Sequence, residues 1–175
     1  MNTIRSIGKA VNDRRRLLQL AATRPDAALS ILRVRRQRLT YLGMDALIDL
    51  YRAMQDVECK NTPGRVIEAG CALGGSALIL AKAKSSQRPF YVYDTFGMIP
   101  PPSTQDGEDA QARYQQIAAG KSPGIKGDLY YGYRTALWQE VTNNFARYGF
   151  AMDADGIHLV QGLFQETLVV DGPVA

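Results

Sequence analysis

The chain has 175 residues, of which 46% are hydrophobic and 22% charged, and it carries a net charge of +4 at pH 7. This length and composition are typical of one globular domain and exclude a low-complexity or fibrous protein. No stretch approaches the roughly 20 apolar residues of a membrane span, and the N-terminus lacks the apolar core of a secretory signal. The two cysteines, Cys59 and Cys71, form no C-x-x-C pair, so we predict reduced thiols in a cytoplasmic protein.

The positive charge is concentrated at the N-terminus. Residues 1–40 hold ten Lys and Arg against two Asp, whereas residues 41–175 hold eleven bases and fifteen acids. We therefore predict a basic helical arm over 1–40, followed by the domain itself over 41–175. Two interpretations of the arm stay open: an amphipathic helical pair that packs on the domain or on a second subunit, and a nucleic-acid or membrane-surface contact. No aromatic residue interleaves with these arginines, which makes nucleic-acid binding the weaker interpretation.

The helices of the arm are predicted from caps and apolar spacing. Asn12 or Asp13 can cap the first helix, and Pro25 suits the first turn of the second. The apolar positions of the second helix are predicted to be Ala28, Leu29, Leu32 and Val34.

The most informative segment follows a third helix, predicted over 44–57. A β-branched pair, Val66 and Ile67, ends in Glu68, a glycine-rich turn follows, and helix-forming residues begin at Ser76. This pattern predicts a strand, a tight turn and a helix N-terminus whose N–H groups and dipole point at a ligand. A second strand, 90–94, ends in Asp94, a residue suited to a ribose diol.

The turn narrows the choice of cofactor. The second glycine of a dinucleotide fingerprint is replaced by Ala72, which disfavours a pyrophosphate, and no nucleoside-triphosphate loop motif is present. Glu68 would repel a pyrophosphate and suits an ammonium group, such as that of S-adenosylmethionine. Spacing alone leaves S-adenosylmethionine binding and a generic Rossmann-like domain both open.

Three motifs resemble the macrocin O-methyltransferase (TylF/MycF-like) family of class I S-adenosylmethionine-dependent enzymes. They are Glu68–Ser76, Tyr93–Pro100 and Val160–Leu168, and the similarity runs from about Leu39 to the last residue. The resemblance implies S-adenosyl-L-methionine as cofactor and methylation of a hydroxyl of a sugar or glycoside. It departs from better-known members at Ala72 and Leu73, which leaves the acceptor open.

The resemblance also implies a set of cofactor-binding residues. The methionine end would be held by the turn, with Glu68, Gly70, Cys71, Ala72, Gly74, Gly75 and Ser76. The ribose would contact Asp94, Thr95 and Phe96, and the adenine would lie near Gly162, Leu163 and Phe164. Cys71 is predicted to be a small apolar filler of this turn rather than a nucleophile.

The family also has further strands after the Gly-Leu-Phe motif, and these carry the catalytic base and the ligands of a Mg2+ ion in the complete enzyme. The chain ends at 171–175, where the next strand is expected to begin. We therefore predict neither a catalytic residue nor a metal ligand in this chain. It is interpreted as the N-terminal part of a methyltransferase, the alternative being a truncated, inactive cofactor-binding or interaction module.

Between the second and third strands lies a long segment, 95–134, predicted to be a lid. Ser103 or Asp106 can cap a helix within it, and Tyr130, Tyr131 and Tyr133 either line a sugar or aromatic pocket or pack the lid down. The next helix, 135–148, is predicted to turn Leu137, Trp138, Val141 and Phe145 inward, with Gly149 as its cap. His158, in the third strand 157–160, is interpreted as structural.

These elements predict an α/β protein with an incomplete Rossmann-like class I methyltransferase fold. The three strands should be parallel in the order 3-2-1, with strand one open on its far side. An open strand edge favours association between copies.

Overall fold

The computed structural model describes residues 2–175, with side chains from Gly8 onward. The helices are α1 (Asn2–Thr23), α2 (Pro25–Arg36), α3 (Met44–Cys59), α4 (Gly75–Ala83), α5 (Glu108–Ala118), α6 (Leu137–Arg147) and α7 (Phe164–Thr167). The strands are β1 (Val66–Ala69), β2 (Phe90–Asp94) and β3 (Ile157–Gln161). Single 3-10 turns lie at Ile125–Gly127 and Tyr131–Tyr133. The predicted α/β class is confirmed.

The three strands form one parallel sheet in the order β1-β2-β3, as predicted. Val66 lies opposite Phe90, which in turn lies opposite Ile157. Because the strands are parallel and in register, their carboxyl ends meet at one edge of the sheet, where ligands of such folds bind.

The far side of β1 is nearly unpaired. Arg65, just before β1, forms an isolated parallel bridge with Val174. In this bridge the Arg65 N–H donates to the Pro173 carbonyl at 3.0 Å, and the Ala175 N–H donates to the Arg65 carbonyl at 3.0 Å. Among the residues that the structure describes, Val66–Ala69 have no strand partner on that side, which agrees with the predicted open flank.

The core lies between the sheet and the helices. Phe90 and Val92 of β2 are fully buried, together with Leu78 and Ile79 of α4. Each such side chain contributes about 1.5–3 kcal/mol by leaving water. β2 is central because it alone has a neighbour on both sides, which holds its end, Asp94, in a fixed place.

The N-terminal helices pack on this core. α1 extends from Asn2 without a break, so the prediction of a cap at Asn12 or Asp13 was wrong; no proline interrupts residues 2–23. α2 does begin at Pro25. Its buried stripe is Ala27, Ala28, Ile31 and Val34, and the helix packs against α1, α3 and α4. Leu29 and Leu32, predicted as apolar contacts, are 66% and 43% exposed.

Ion pairs also tie the basic arm to the acidic remainder. Lys9 pairs with Asp45 at 3.0 Å, and Arg16 pairs with Asp49. Two of the basic side chains of the arm are therefore neutralised by acidic side chains of α3. This favours the interpretation that the arm packs on the domain over the interpretation that it contacts nucleic acid.

Two predictions about helix boundaries and faces need correction. α5 begins after Gly107 and is capped by neither Ser103 nor Asp106, the two predicted caps. The Asp106 carboxylate is instead occupied by the Ser103 N–H, which donates to Oδ2 at 2.7 Å. Trp138 is 40% exposed rather than inward-facing. Gly149 lies just past α6 with φ of +86°, which agrees with its predicted role as the cap.

None of the helices within residues 2–175 combines the length and the apolar character needed to cross a bilayer.

Candidate functional site

The turn between β1 and α4 is sharply bent. Gly70, Ala72 and Gly74 all have positive φ, at +87°, +50° and +83°. Glycine adopts this conformation without a steric penalty, and Ala72 does so at a cost. The turn connects the end of β1 at Ala69 to the N-terminus of α4 at Gly75. It leaves open space at Gly70, where an added Cβ would meet only the Phe164 ring at 3.9 Å.

Asp94 holds this turn in place. Its buried carboxylate accepts the N–H of Cys71 at 2.8 Å and that of Ala72 at 3.1 Å on Oδ2. Oδ1 accepts the N–H of Phe96 at 2.8 Å. A carboxylate offers about four acceptor positions, so the remaining capacity for a ligand hydroxyl lies on Oδ1.

Glu68 lies at the end of β1, beside the first turn of α4. The Ser76 hydroxyl donates to Glu68 Oε1. Although the residue as a whole is partly accessible, Oε2 is shielded from solvent and has no hydrogen-bond partner among the residues whose side chains the structure describes. Burial raises the pKa of Glu68 to about 7; the Ser76 hydroxyl opposes this rise, and the nearby Asp94 charge adds to it. A cation placed at Oε2 would satisfy this atom and favour the charged carboxylate.

A cavity of about 240 Å3 lies at the carboxyl ends of the strands. It brings together five predicted residues: Gly70, Asp94, Thr95, Leu163 and Phe164. It also contains Ile99, Pro100 and Gln165, which were not predicted as site residues, and Tyr131, which was predicted either to line a pocket or to pack the lid down. Ile99 and Pro100 belong to the lid, and the proline-rich run after Asp94 was the signal that could have placed them here. The cavity is smaller than the 300–1,000 Å3 typical of small-molecule sites.

The other predicted residues lie outside the lining of this cavity: Glu68, Cys71, Ala72, Gly74, Gly75, Ser76, Phe96 and Gly162. Three of them are glycines at which the surrounding structure leaves no room for a side chain. An added Cβ at Gly74 would lie 3.1 Å from Val141 Cγ1, and one at Gly75 would lie 2.7 Å from Thr40 Cβ. One at Gly162 would collide with Thr167. What these residues do for a cofactor stays a prediction.

Cys71 and Phe96 are buried inside this region. Burial raises the pKa of the Cys71 thiol, and the Asp94 and Glu68 charges raise it further. The thiol is therefore protonated at neutral pH, which agrees with its interpretation as an apolar filler and not as a nucleophile.

Two of the three lid tyrosines, Tyr131 and Tyr133, have different roles. Tyr131 lines the cavity, and its ring lies 4.5 Å from that of Tyr130 and 6.2 Å from that of Tyr41, measured between centroids. The Tyr133 hydroxyl instead donates to the Ile117 carbonyl at 2.6 Å and accepts the Ser122 N–H at 3.1 Å. Tyr133 thus packs the lid, whereas Tyr131 faces the candidate site.

His158 stacks on Tyr91 with ring centroids 4.8 Å apart. Within residues 2–175 no group of three or more His, Cys, Asp or Glu side chains is arranged to hold a metal ion.

Comparison with known proteins gives a family and a fold. The model of the macrocin-O-methyltransferase (TylF) family matches residues 34–172. The solved structure of the O-methyltransferase NovP resembles this one with a TM-score of 0.57 and 20% sequence identity, covering 74% of this chain and 49% of that one. The chain thus spans about half the length of NovP, and at this identity the likeness concerns the fold alone. No curated protein sequence matches the chain.

Proposed function

This chain belongs to the macrocin O-methyltransferase (TylF) family, and from that premise we propose that it binds S-adenosylmethionine at the carboxyl ends of β1, β2 and β3. The observation that carries the proposal is Glu68 beside the N-terminus of α4, whose Oε2 has no hydrogen-bond partner among the described residues. Because this atom is shielded from solvent and Glu68 lies outside the cavity lining, its side chain must turn toward the cavity to meet a ligand. The cofactor has an ammonium group of the charge that this atom requires, and the dinucleotides that share this fold class do not place one there.

The remaining contacts are assigned by chemistry and position. Thr95 and the spare capacity of Asp94 Oδ1 would hold ribose hydroxyls, since both residues line the cavity. Leu163 and Phe164, with Ile99 opposite, supply apolar surface for the adenine ring. Gly70 allows close approach of the ligand because its Cβ position is open.

When bound, the cofactor supplies an electrophilic methyl group on its sulfonium. The part of the chain that the structure describes positions the reactants and shields them from water, which is the main contribution of a protein to such a transfer. Tyr131 and the lid would form the wall facing the acceptor, for which we propose a hydroxyl of a sugar or glycoside. The base that deprotonates this hydroxyl is not assigned, and the participation of Mg2+ stays a prediction from the family.

A second candidate function is a non-catalytic cofactor-binding or interaction module. Two observations favour it. Three of the roughly four acceptor positions of Asp94 are already used by backbone N–H groups, which leaves little capacity for a ribose. The nearly unpaired flank of β1 adds to it, because an open edge favours association between copies. On either proposal we infer a cytoplasmic homo-oligomer. We infer the cytoplasmic location from the two free cysteines, since thiols stay reduced in that compartment.

Calorimetric titration of S-adenosylmethionine into the 175-residue protein tests the proposal. The variant Glu68→Gln keeps the shape of the side chain and removes its charge, and Glu166→Gln, on exposed α7, is the matched control. We expect binding that is weakened at least roughly tenfold in Glu68→Gln and unchanged in Glu166→Gln.

Absence of binding in a protein shown by circular dichroism to be folded would overturn the proposed cofactor. Equal affinity of Glu68→Gln and the unmodified protein would overturn the assignment of Glu68. Binding without methyl transfer to any of a panel of glycosides would favour the non-catalytic module.

A further inference from the structure

We propose that a second cavity, between α2, α6 and the lid, binds a small oxyanion, a phosphate or carboxylate group, through Arg134 and Arg147. This cavity of about 220 Å3 is lined mainly by polar side chains, among them Gln37, Arg38, Asp128, Arg134, Glu140 and Arg147. Its residues come from four separate parts of the chain, and none of them lines the candidate cofactor cavity.

The charges around the cavity are unbalanced. Of its three arginines, Arg38 is paired with Asp128 at 2.7 Å, and Arg134 with Glu140 at 2.6 Å. Among the residues that the structure describes, Arg147 makes no ion pair. Arg147 is exposed, so one guanidinium at the solvent side of the cavity is without a compensating charge, and a small anion would neutralise it.

A second observation points the same way. Arg134 Nε is shielded from solvent and has no hydrogen-bond partner in the described part of the chain, although Nη1 of the same guanidinium donates to Glu140. A buried donor without an acceptor is unfavourable, because it has lost its bond to water without replacement. A turn of the Arg134 side chain toward the cavity would bring Nε to an oxyanion there, and a planar guanidinium suits the geometry of carboxylate and phosphate groups.

The walls of the cavity are held in position before any ligand binds. The Tyr148 hydroxyl donates to Gln37 Oε1 at 3.0 Å, and the Arg33 guanidinium lies 4.3 Å from the centroid of the Tyr148 ring. These contacts join α2 to the end of α6. Leu73 also lines this cavity, so the turn that joins β1 to α4 contributes to both cavities, through Leu73 here and through Gly70 at the candidate cofactor site. Anion binding itself requires no cofactor.

The test is titration of inorganic phosphate and of glucose 1-phosphate into the full chain, followed by calorimetry at low ionic strength. We expect saturable binding that sodium chloride at equal ionic strength does not reproduce. Arg147→Gln should weaken it roughly tenfold or more, because one charge-assisted hydrogen bond is lost. Arg52→Gln, an equal charge change at an exposed site on α3, should leave it unchanged.

A variant with the opposite expected effect makes the test sharper. Glu140→Gln removes the carboxylate that competes for Arg134, so it should tighten anion binding roughly fivefold. Tighter binding of the ester than of free phosphate would assign the anion to a larger molecule, and the reverse order would assign it to the free ion; both support the site. Absence of saturable binding, or equal losses in Arg147→Gln and Arg52→Gln, would overturn it.

Discussion

Asp94, at the end of β2, accepts the backbone N–H of Cys71, in the turn after β1, at 2.8 Å. The two residues are 23 positions apart in sequence, so this bond couples the end of one strand to the conformation of the turn after its neighbour. The same carboxylate that was predicted to contact a ribose therefore also shapes the turn that would hold the methionine end of the cofactor.

Replacing Asp94 with Asn should destabilise the protein. The amide keeps the shape of the side chain and one acceptor oxygen, but its NH2 group cannot accept the N–H bonds that are made to the oxygen it replaces: those of Cys71 and Ala72 on Oδ2, or that of Phe96 on Oδ1. We expect a loss of about 2–4 kcal/mol in the free energy of unfolding, measured by urea denaturation. Asp153→Asn, at an exposed position, is the control and should change it by less than about 0.5 kcal/mol. Equal stability of the two variants would show that Asp94 does not hold the turn.

Gly75→Ala should be among the more damaging small substitutions. Its N–H donates to the Leu39 carbonyl at 2.9 Å, and an added Cβ would collide with that carbonyl and lie 2.7 Å from Thr40 Cβ. We expect a loss of about 1–3 kcal/mol in thermal or chemical unfolding. Gly8→Ala, on α1 with no atom within 4 Å of the new Cβ, should stabilise by about 0.5–1 kcal/mol. The same sign for both substitutions would contradict the close packing described at Gly75.

The affinity for S-adenosylmethionine should rise with pH between about 6 and 8. Because the pKa of Glu68 is raised to about 7, the carboxyl must lose a proton before it can pair with an ammonium group. Titrations in buffers of different ionisation enthalpy should therefore show proton release on binding at pH 6. Glu68→Gln should show a flat profile over the same range. A profile in Glu68→Gln as steep as that of the unmodified protein would assign the pH dependence to another group.

Glu68 should also make the protein less stable as the pH rises. Its pKa is higher in the folded state than the ordinary value of 4.5, so the folded state binds its proton more tightly, and stability falls as the pH rises from about 4.5 to about 7. At pH 8 Glu68→Gln should therefore be the more stable protein, by up to roughly 3 kcal/mol. At pH 4 the difference should be small. Urea denaturation of both proteins at the two pH values measures this, and a gap that does not widen with pH would contradict it.

Association through the open flank of β1 should depend on protein concentration. Ala69 is exposed on this strand, and a lysine at a strand edge disfavours pairing with another chain. In analytical ultracentrifugation we expect Ala69→Lys to shift the protein toward the monomer, while Ala151→Lys, exposed in a loop, leaves the distribution unchanged. An oligomer that both variants preserve would place the interface elsewhere.

Much of the fold follows from local patterns in the sequence. The run 90–94 forms β2 with the predicted bounds, and the prolines and glycines at Pro25 and Gly149 mark helix ends where expected. The strand order could also be predicted, because short crossovers between parallel strands leave few arrangements. The errors at Leu29 and Trp138 concern which side of a helix faces inward, and this depends on neighbours distant in sequence.

What the sequence by itself determined is the family, the α/β class and the set of residues near the strand ends. Only the tertiary structure decided how those residues are used: that Asp94 bonds the turn, that Gly75 packs against Leu39, and that Tyr131 faces the cavity. The arginine-lined cavity is likewise invisible in the sequence, because its ion pair between Arg38 and Asp128 joins residues 90 positions apart. Local patterns specify strands, turns and helices through backbone preferences, whereas a binding site depends on long-range contacts that form only when those elements pack together.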